Sequence, residues 1–408
     1  MKFTKVAATS KNGKWPEMVT RQDKLYARSD DIRSEFWRDY NRILHCTAYR
    51  RLKHKTQVFF ATRNDHICTR MEHVGHVAAV SSTLCTRLGL NVELAMAIAT
   101  GHDLGHAPFG HEGEEILKEI VKEFSEDEFW HERNSLRFVD KLETLPGPCG
   151  KEHNLFLTYA VRDGIISHCG EVNNAYNDPI RPRMENIPLE SIMKSNQYQP
   201  FTWEGCIVKV ADKIAYLGRD IEDALSLRIL APMRLKKLVH ILNSLLETKI
   251  TFRQINTTYL MHELMIDLCE SSSPEIGITF SKKYVDLINQ VKQFNSEEIY
   301  KHSRLEPFKN YAKLIINSIY EFLLDAYSGK NTLVKLNKQK AGFPLTIGYF
   351  IEWLDKYTLR SNSLSKRYAN KVIYDLEDEQ DYKQAIVDYI SGMTDAFAIR
   401  AFNELINF

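Results

Sequence analysis

The stretch GHDLGHAPFGHE, Gly101 to Glu112, places three histidines, an aspartate and several turn-forming residues within twelve positions. The run before it, Val92 to Ala99, is almost wholly apolar, and Asn91 stands where a helix N-cap belongs. This pattern predicts a buried helix or strand ending in the adjacent pair His102-Asp103, so that an imidazole and a carboxylate enter the interior together. Nitrogen and oxygen donors side by side suit a first-row divalent ion such as Mn, Fe, Co, Ni or Zn, and tolerate Mg. Gly105, Pro108 and Gly110 then bend the chain, which lets His106 and His111 point back toward the same place. Read alone, the stretch also admits a helix cap with a structural His-Asp pair and two surface histidines.

Composition bounds what such a site serves. Lys plus Arg number 54 and Asp plus Glu 53 across 408 residues, so no global field recruits nucleic acid or membrane, and a polyanion must be met by a local patch. Seven cysteines, at 46, 68, 85, 149, 169, 206 and 269, form an odd set without a CxxC pair. That argues against a disulfide framework and a cysteine zinc site and fits a reducing compartment. The N-terminus has no apolar signal core, and no segment approaches the roughly 18 apolar residues of a membrane span. A soluble, cytoplasmic protein with no membrane partner is expected, long enough for one large helical domain.

Residues 1 to about 30 are polar and mixed, broken at Trp15-Pro16, and read as an irregular arm available to a neighbouring molecule. A catalytic core is expected over 31–230, with a helical C-terminal region packed on it over 231–408. Ile32, Phe36, Tyr40, Ile43, Leu44 and Ala48 recur at helical spacing over Asp31 to Leu52, ending in the basic cluster Arg50, Arg51, Lys53 and Lys55. Gln57 to Phe60 is a short extended candidate, and Asn64-Asp65 a turn. Thr69 to Leu88 reads as a helix closed by Gly89, with Arg70 and His73 three apart on one face. Helices follow over Gly113–Phe124, His131–Leu142 and Leu155–His168, with a Leu-Pro-Gly-Pro break at 145–148. The segment 170–200, rich in Asn, Pro and Arg, is expected to be a lid or an oligomer contact. Beyond residue 230 helices are predicted over 231–249, 252–269, 281–294 and 307–328 and, after a Gly-Pro stretch near 342–344, to the end.

The helix expected over Trp203 to Leu227 carries a second signal. Glu204, Val208, Asp212, Tyr216 and Asp220 recur every four residues, and at about 1.5 Å rise per residue Asp212 and Asp220 lie roughly 12 Å apart along one face. Ile207, Val210, Ile214 and Ile221 leave no clean apolar stripe opposite, so both faces are expected to be buried and the acids to need partners.

The order His73, His102-Asp103, Asp212 resembles the H…HD…D metal site of the HD phosphohydrolases, a helical superfamily. Five blocks, AYRRLKHKTQVF (48–59), TRMEHVGHV (69–77), GHDLGHAPFGHEGE (101–114), ADKIAYLGRDIEDA (211–224) and DYISGMTDAFA (388–398), are similar in content and order to the dGTP triphosphohydrolase family, which includes bacterial dNTPases. The likeness spans about residue 30 to the C-terminus and implies an all-α HD-domain phosphohydrolase fold with additional C-terminal helices.

The resemblance implies that His73, His102, Asp103 and Asp212 hold one divalent metal ion per subunit, Mn, Mg, Co, Fe or Ni, with positions left for water and a phosphate oxygen. It implies that Arg70 and Lys213 bind phosphates, and that Gln57, Tyr216 and Asp220 enclose the sugar, bond its 3′-hydroxyl and exclude a 2′-hydroxyl. His106, His111 and His131 match active-site histidines; His131 would act as in-line nucleophile or as acid on the leaving 5′ oxygen, oriented by Glu132. The implied reaction cleaves a deoxynucleoside triphosphate to deoxynucleoside and tripolyphosphate by attack at the α-phosphorus. The likeness further implies a homo-oligomer (hexamer or tetramer), a second dNTP as allosteric activator at a subunit interface, and single-stranded DNA binding beside catalysis. Further Arg, Lys and Tyr contacts of some relatives have no recognisable counterpart in the C-terminal half. His168 and the remaining histidines read as structural or surface groups, and Asp395 as a cap or pairing partner. Two rival readings stay open: another HD nucleotide phosphohydrolase or phosphodiesterase, and a single-stranded nucleic-acid-binding regulator using Arg50 to Lys55 and the group Arg234, Lys236, Lys237.

Overall fold

The computed structural model describes residues 1–24, 30–60, 66–148, 150–169, 178–231, 233–246, 257–358 and 367–407. In chain order the first helices are α1 (Trp15–Met18), α2 (Glu35–His45), α3 (Thr47–Arg51), α4 (Arg70–Leu88), α5 (Val92–Gly101), α6 (Gly110–Lys122), α7 (His131–Arg137), α8 (Tyr159–Ser167) and α9 (Trp203–Ser226). The later part holds α10 (Leu235–Leu246), α11 (Thr257–Ser271), α12 (Lys282–Asn295), α13 (Glu306–Leu324), α14 (Thr332–Gln339), α15 (Tyr349–Tyr357), α16 (Glu379–Ser391) and α17 (Asp395–Ile406). A small antiparallel hairpin, β1 (Thr144–Pro146) and β2 (Glu152–Asn154), pairs Leu145 with His153. Leu145 and Pro146 of the Leu-Pro-Gly-Pro break lie in β1 and Gly147-Pro148 leave it, so the sequence marks an interruption here but not the strand pair.

The centre is the packed trio α4, α5 and α9, with α2 laid on α5, and α8 on both α5 and α9. Local chemistry sets the ends of these helices. Thr69 and Glu72 form a reciprocal capping box at the start of α4, and Gly89 closes it at φ 86°, a left-handed conformation that glycine adopts without a Cβ clash. The Asn91 side chain accepts from the backbone N–H groups of Glu93 (3.0 Å) and Leu94 (3.2 Å) to open α5. Both faces of α9 are buried, as its pattern predicts, and its acids are matched. Glu204 accepts from the N–H of Ala8 (2.9 Å) and of Asn91 (2.8 Å), and Asp223 from that of Cys68 (3.0 Å).

Several expectations change. The single helix expected over Asp31 to Leu52 breaks at Cys46, whose extended backbone (φ −72°, ψ 159°) ends α2 and caps α3. The helix from His131 keeps α-geometry only to Arg137 and widens into a π turn over Phe138–Leu142. Gln57 to Phe60 forms bends rather than a strand, and α8 starts at Tyr159 rather than Leu155. The arm finds its apolar cover in its own chain: Phe3 is buried and meets the Trp203 ring edge-on at 5.0 Å. The Asn64-Asp65 turn, residues 170–177 of the long loop, and the adjoining ends of the helices expected over 231–249 and 252–269 lie outside the described residues. Among the described residues no helix is long and apolar enough to cross a membrane.

Candidate active site

His102 is the C-cap residue of α5. Its Nδ1–H donates to the Ala99 carbonyl oxygen (2.6 Å); a carbonyl only accepts, so the proton sits on Nδ1 and Nε2 carries a lone pair. That Nε2 is buried without a hydrogen-bond partner, 3.9 Å from Asp103 Oδ1 and 3.8 Å from Asp212 Oδ1. His73 of α4 lies against Asp212 of α9, Nε2 to Oδ1, at 2.8 Å. Donor atoms of His73, His102 and Asp103 lie within 4.8 Å of one another. An orphaned imidazole nitrogen facing one buried and one half-buried carboxylate is costly unless something binds it. Two imidazole nitrogens and two carboxylates are a donor set that a borderline divalent ion accepts, so these residues fit a metal.

Arg70, expected on phosphates, is buried and faces the Asp103 carboxylate: its Nη1 donates to Asp103 Oδ2 at 2.7 Å. Burial would raise the Asp103 carboxyl, but Arg70 and then the nearby imidazoles outweigh it and hold the group well below the usual range. Asp212 is lowered as well, burial being outweighed by its bond to His73.

The turn after His102 is stitched to α7. A Cβ on Gly105 would stand 2.1 Å from the Ser135 backbone nitrogen, so only glycine permits the approach. Across it, Gly105 N–H donates to Ser135 Oγ (2.9 Å), Asn134 Nδ2 to the Gly105 carbonyl (2.6 Å) and Ser135 Oγ to the His102 carbonyl (2.7 Å). This lock sets His131, the first residue of α7, over His106 with the rings stacked at 4.3 Å.

Glu132 is the expected orienter of His131, yet the closer carboxylate is Glu114 of α6. His131 Nδ1 lies 3.0 and 3.1 Å from the two Glu114 oxygens, and its backbone N–H donates to the same group at 2.8 Å. Glu132 is buried at 3.5 Å. Burial alone would lower the His131 imidazole, but the Glu114 and Glu132 carboxylates outweigh it and raise it to about 10. Glu114 was readable: it is the second residue of the helix predicted from Gly113 and follows His111 by three. His111 itself stands at the rim, 70% exposed, 3.6 Å from Glu114. His106 is fully enclosed, and burial first, then Arg70 and His131, push it well below the ordinary imidazole value.

His168, read from the sequence as a structural or surface group, lies among the site histidines. It caps α8 as His102 caps α5, with Nδ1–H donating to the Ile165 carbonyl at 2.6 Å. Its ring stands 4.9 Å from that of His102 and 5.8 Å from that of His131, bridging the two halves of the site. Burial lowers it to about 3, so it is neutral. The signal was an apolar run ending in histidine, the same grammar as Val92 to His102.

On α9 beyond Asp212, Lys213 and Asp220 are buried and Tyr216 is half-buried. Asp220 accepts a hydrogen bond from the Tyr300 hydroxyl, and burial raises its carboxyl to about 6. Tyr300 ends a π turn, Ser296–Tyr300, after α12; it lies in the polar run SEEIYK, and nothing local to it marks a site. The Gln57 side-chain oxygen is buried without a partner, while its carbonyl lies 3.4 Å from Arg70 Nη2.

The block 388–398 supports the site from behind. Asp395, buried at the start of α17, accepts from the N–H groups of Thr56 (2.9 Å) and Phe109 (2.9 Å). Lys55, buried, donates to the Ser391 carbonyl (2.8 Å) and to the His106 carbonyl. Phe109 is held at φ 66°, strained for a residue with a Cβ. The C-terminal helices thereby clamp both the Gln57 segment and the histidine turn.

The HD domain family matches residues 70–217, and the phosphohydrolase-associated domain family matches residues 350–404. A deoxyguanosinetriphosphate triphosphohydrolase-like protein of Caldanaerobacter subterraneus subsp. tengcongensis is 31% identical over 390 residues, covering 95% of this chain and 90% of that protein. Proteins described in the same words from Rickettsia felis and Clostridium tetani are each 30% identical, over 91% and 92% of this chain and 92% and 86% of their own lengths. With the metal-compatible cluster inside the first matched segment and the clamp inside the second, this chain belongs to the deoxyguanosinetriphosphate triphosphohydrolase-like family of HD-domain phosphohydrolases.

Proposed function

We propose that the chain hydrolyses deoxynucleoside triphosphates to deoxynucleoside and tripolyphosphate, with His73, His102, Asp103 and Asp212 holding one divalent ion. The observation that carries this reading is the facing arrangement of two clusters, a metal-compatible one and a proton-bearing one, bridged by the neutral His168. A bound divalent ion would polarise a phosphoryl oxygen and lower the pKa of a bound water. With Nδ1 held by Glu114, Nε2 is the His131 nitrogen left to meet the reacting group, and the raised pKa keeps the ring protonated near neutrality. It therefore serves as acid, giving its proton to the leaving 5′ oxygen as the bond to the α-phosphorus breaks. Lys213 meets the phosphate chain, and Arg70, through Asp103, orients a metal ligand. Gln57, Tyr216 and Asp220 take the sugar, with Tyr300 fixing the Asp220 carboxyl. The names of relatives at about 30% identity support a deoxynucleotide substrate.

The regulator reading draws less support. Of its basic clusters, Lys55 is buried and Arg51 pairs with Glu143 (3.0 Å), while Arg234 and Lys237 face Glu298 at 3.6 Å each. We further propose a homo-oligomer, a hexamer or tetramer, with a dNTP activator. The test is phosphorus NMR of the purified protein with Mn or Mg, offered each dNTP singly, then all four, then the ribonucleotides. Tripolyphosphate from dNTPs alone is the expected result, and activity confined to the mixture would identify the activator. Release of orthophosphate or pyrophosphate, or faster turnover of ribonucleotides, would replace this reading with another HD phosphohydrolase.

A further inference from the structure

A cavity of about 430 Å³ lies between α2 and the β1–β2 hairpin and shares no residue with the histidine clusters. Its wall carries Lys24, Arg33, Arg38, Arg42 and His153, with the turn after β1 and Phe156 completing it. Every ionisable side chain on that wall is basic, although the chain as a whole is nearly neutral. Internal ion pairs consume only part of this charge. Arg33 is bound by Asp31 through Nε (2.9 Å) and Nη2 (2.9 Å), and Arg38 faces Asp31 (3.6 Å) and Glu35 (3.4 Å). Glu35 is also shared with Arg21 (2.7 Å).

Arg42 is left over. Its Nε donates to the Leu155 carbonyl (2.6 Å) and its Nη2 to the Asn154 carbonyl (3.2 Å), and among the described residues no carboxylate lies within ion-pair distance. Neutral carbonyls orient this guanidinium without pairing its charge, and the nearby Asp39 carboxylate is already bound by Arg21 (2.5 Å). Burial, with Arg21 and Arg38 close by, pushes it down to about 10 even though Asp39 is near. Lys24, exposed at the mouth, adds a second cation without a carboxylate across from it on the wall. A half-buried cation crowded by others, in a space with room for several heavy atoms, is stabilised by an anion entering from solvent.

We propose that this cavity binds a short phosphate chain, presented either as free inorganic polyphosphate or as the tail of a nucleotide. Planar guanidinium groups match phosphoryl oxygens in pairs, and a multiply charged chain neutralises Arg42 and Lys24 together, which chloride or a single carboxylate does not. The bound chain bridges α2 to the hairpin, and because α2 lies on α5, it stiffens the layer behind His102.

Calorimetric titration of the chelator-treated full chain with inorganic tripolyphosphate tests this, with dATP and ATP as parallel arms. Parent protein is expected to show a binding class that persists in Lys213→Ala and weakens on the order of 10-fold or more in Arg42→Gln and in Lys24→Glu. Equal affinities across the three ligands assign recognition to the phosphate chain alone; tighter nucleotide binding assigns it to a nucleotide tail. Titrations of Arg42→Gln and Lys24→Glu that match the parent overturn the proposal. Because Arg42 also anchors two carbonyls, its variant is compared by thermal melting; if it unfolds, Lys24→Glu combined with Arg33→Glu decides by the same criterion.

Discussion

His73 with Asp212 and His131 with Glu114 are both buried or half-buried imidazole–carboxylate pairs, 2.8 and 3.0 Å long, yet the halves of the site around them differ. In the first half the neighbouring His102 spends Nδ1 on a backbone carbonyl and turns a bare Nε2 toward two carboxylates, which suits coordination. In the second, His131 spends Nδ1 on a carboxylate and keeps its proton, while stacked His106 and nearby His168 are held neutral by burial. Residue type does not distinguish ligand from acid here. The carbonyl on His102 Nδ1 fixes which nitrogen carries the proton and burial keeps that ring neutral, whereas the carboxylate on His131 Nδ1 stabilises the cation.

The strongest way to break this comparison is in the first half. Asp103→Ala is expected to remove bound metal, read by elemental analysis, and activity together, by on the order of 1000-fold or more; full metal with full turnover would remove Asp103 from the centre. In the second half His131→Ala should leave metal in place and cut the rate by about 100-fold or more, the scale of a lost general acid. Wild-type rates for that variant would make His131 a packing residue.

Glu114→Gln sharpens the contrast through pH. Losing the nearest carboxylate lowers the His131 pKa from about 10. In the proposed mechanism activity needs the protonated ring and fades as pH rises through that pKa, so the alkaline limb of the pH–rate profile should move to lower pH. A limb that stays in place, or moves up, would assign the proton to another group. Behind both halves, Asp395→Ala orphans two backbone N–H groups, a cost of about 1–3 kcal/mol for each that stays dry. The melting temperature should drop, with bound metal retained; an unchanged melt would mean that Thr56 and Phe109 find water instead. The smallest effect is expected from Tyr300→Phe, which removes one hydrogen bond to Asp220 and should raise KM about 2- to 10-fold with kcat kept. A change in kcat alone would place Tyr300 in the chemistry.

The metal half was the more legible in sequence. His102-Asp103 closes an apolar run and was readable where it stood, whereas His73 and Asp212 were placed on helices by caps and periodicity and joined to that pair only by the family resemblance. The second half was legible in its histidines but not in its carboxylate. Glu132 adjoins His131 in the chain, but a neighbour in sequence on a helix points roughly 100° away. Glu114, seventeen residues earlier, approaches through the packing of α6 on the turn. Tyr300 and Asp395 act entirely across the fold, 80 and 286 residues from the atoms they touch.

The sequence by itself determined most of the helices, the caps of α4 and α5, the metal-competent His102-Asp103 pair and the family, because those depend on local propensity, burial period and motif order. Only the tertiary structure decided which histidine is a lone pair and which is a proton. That distinction rests on burial and on the second nitrogen's partner, and both the burial and a partner from another helix exist only once the chain has packed.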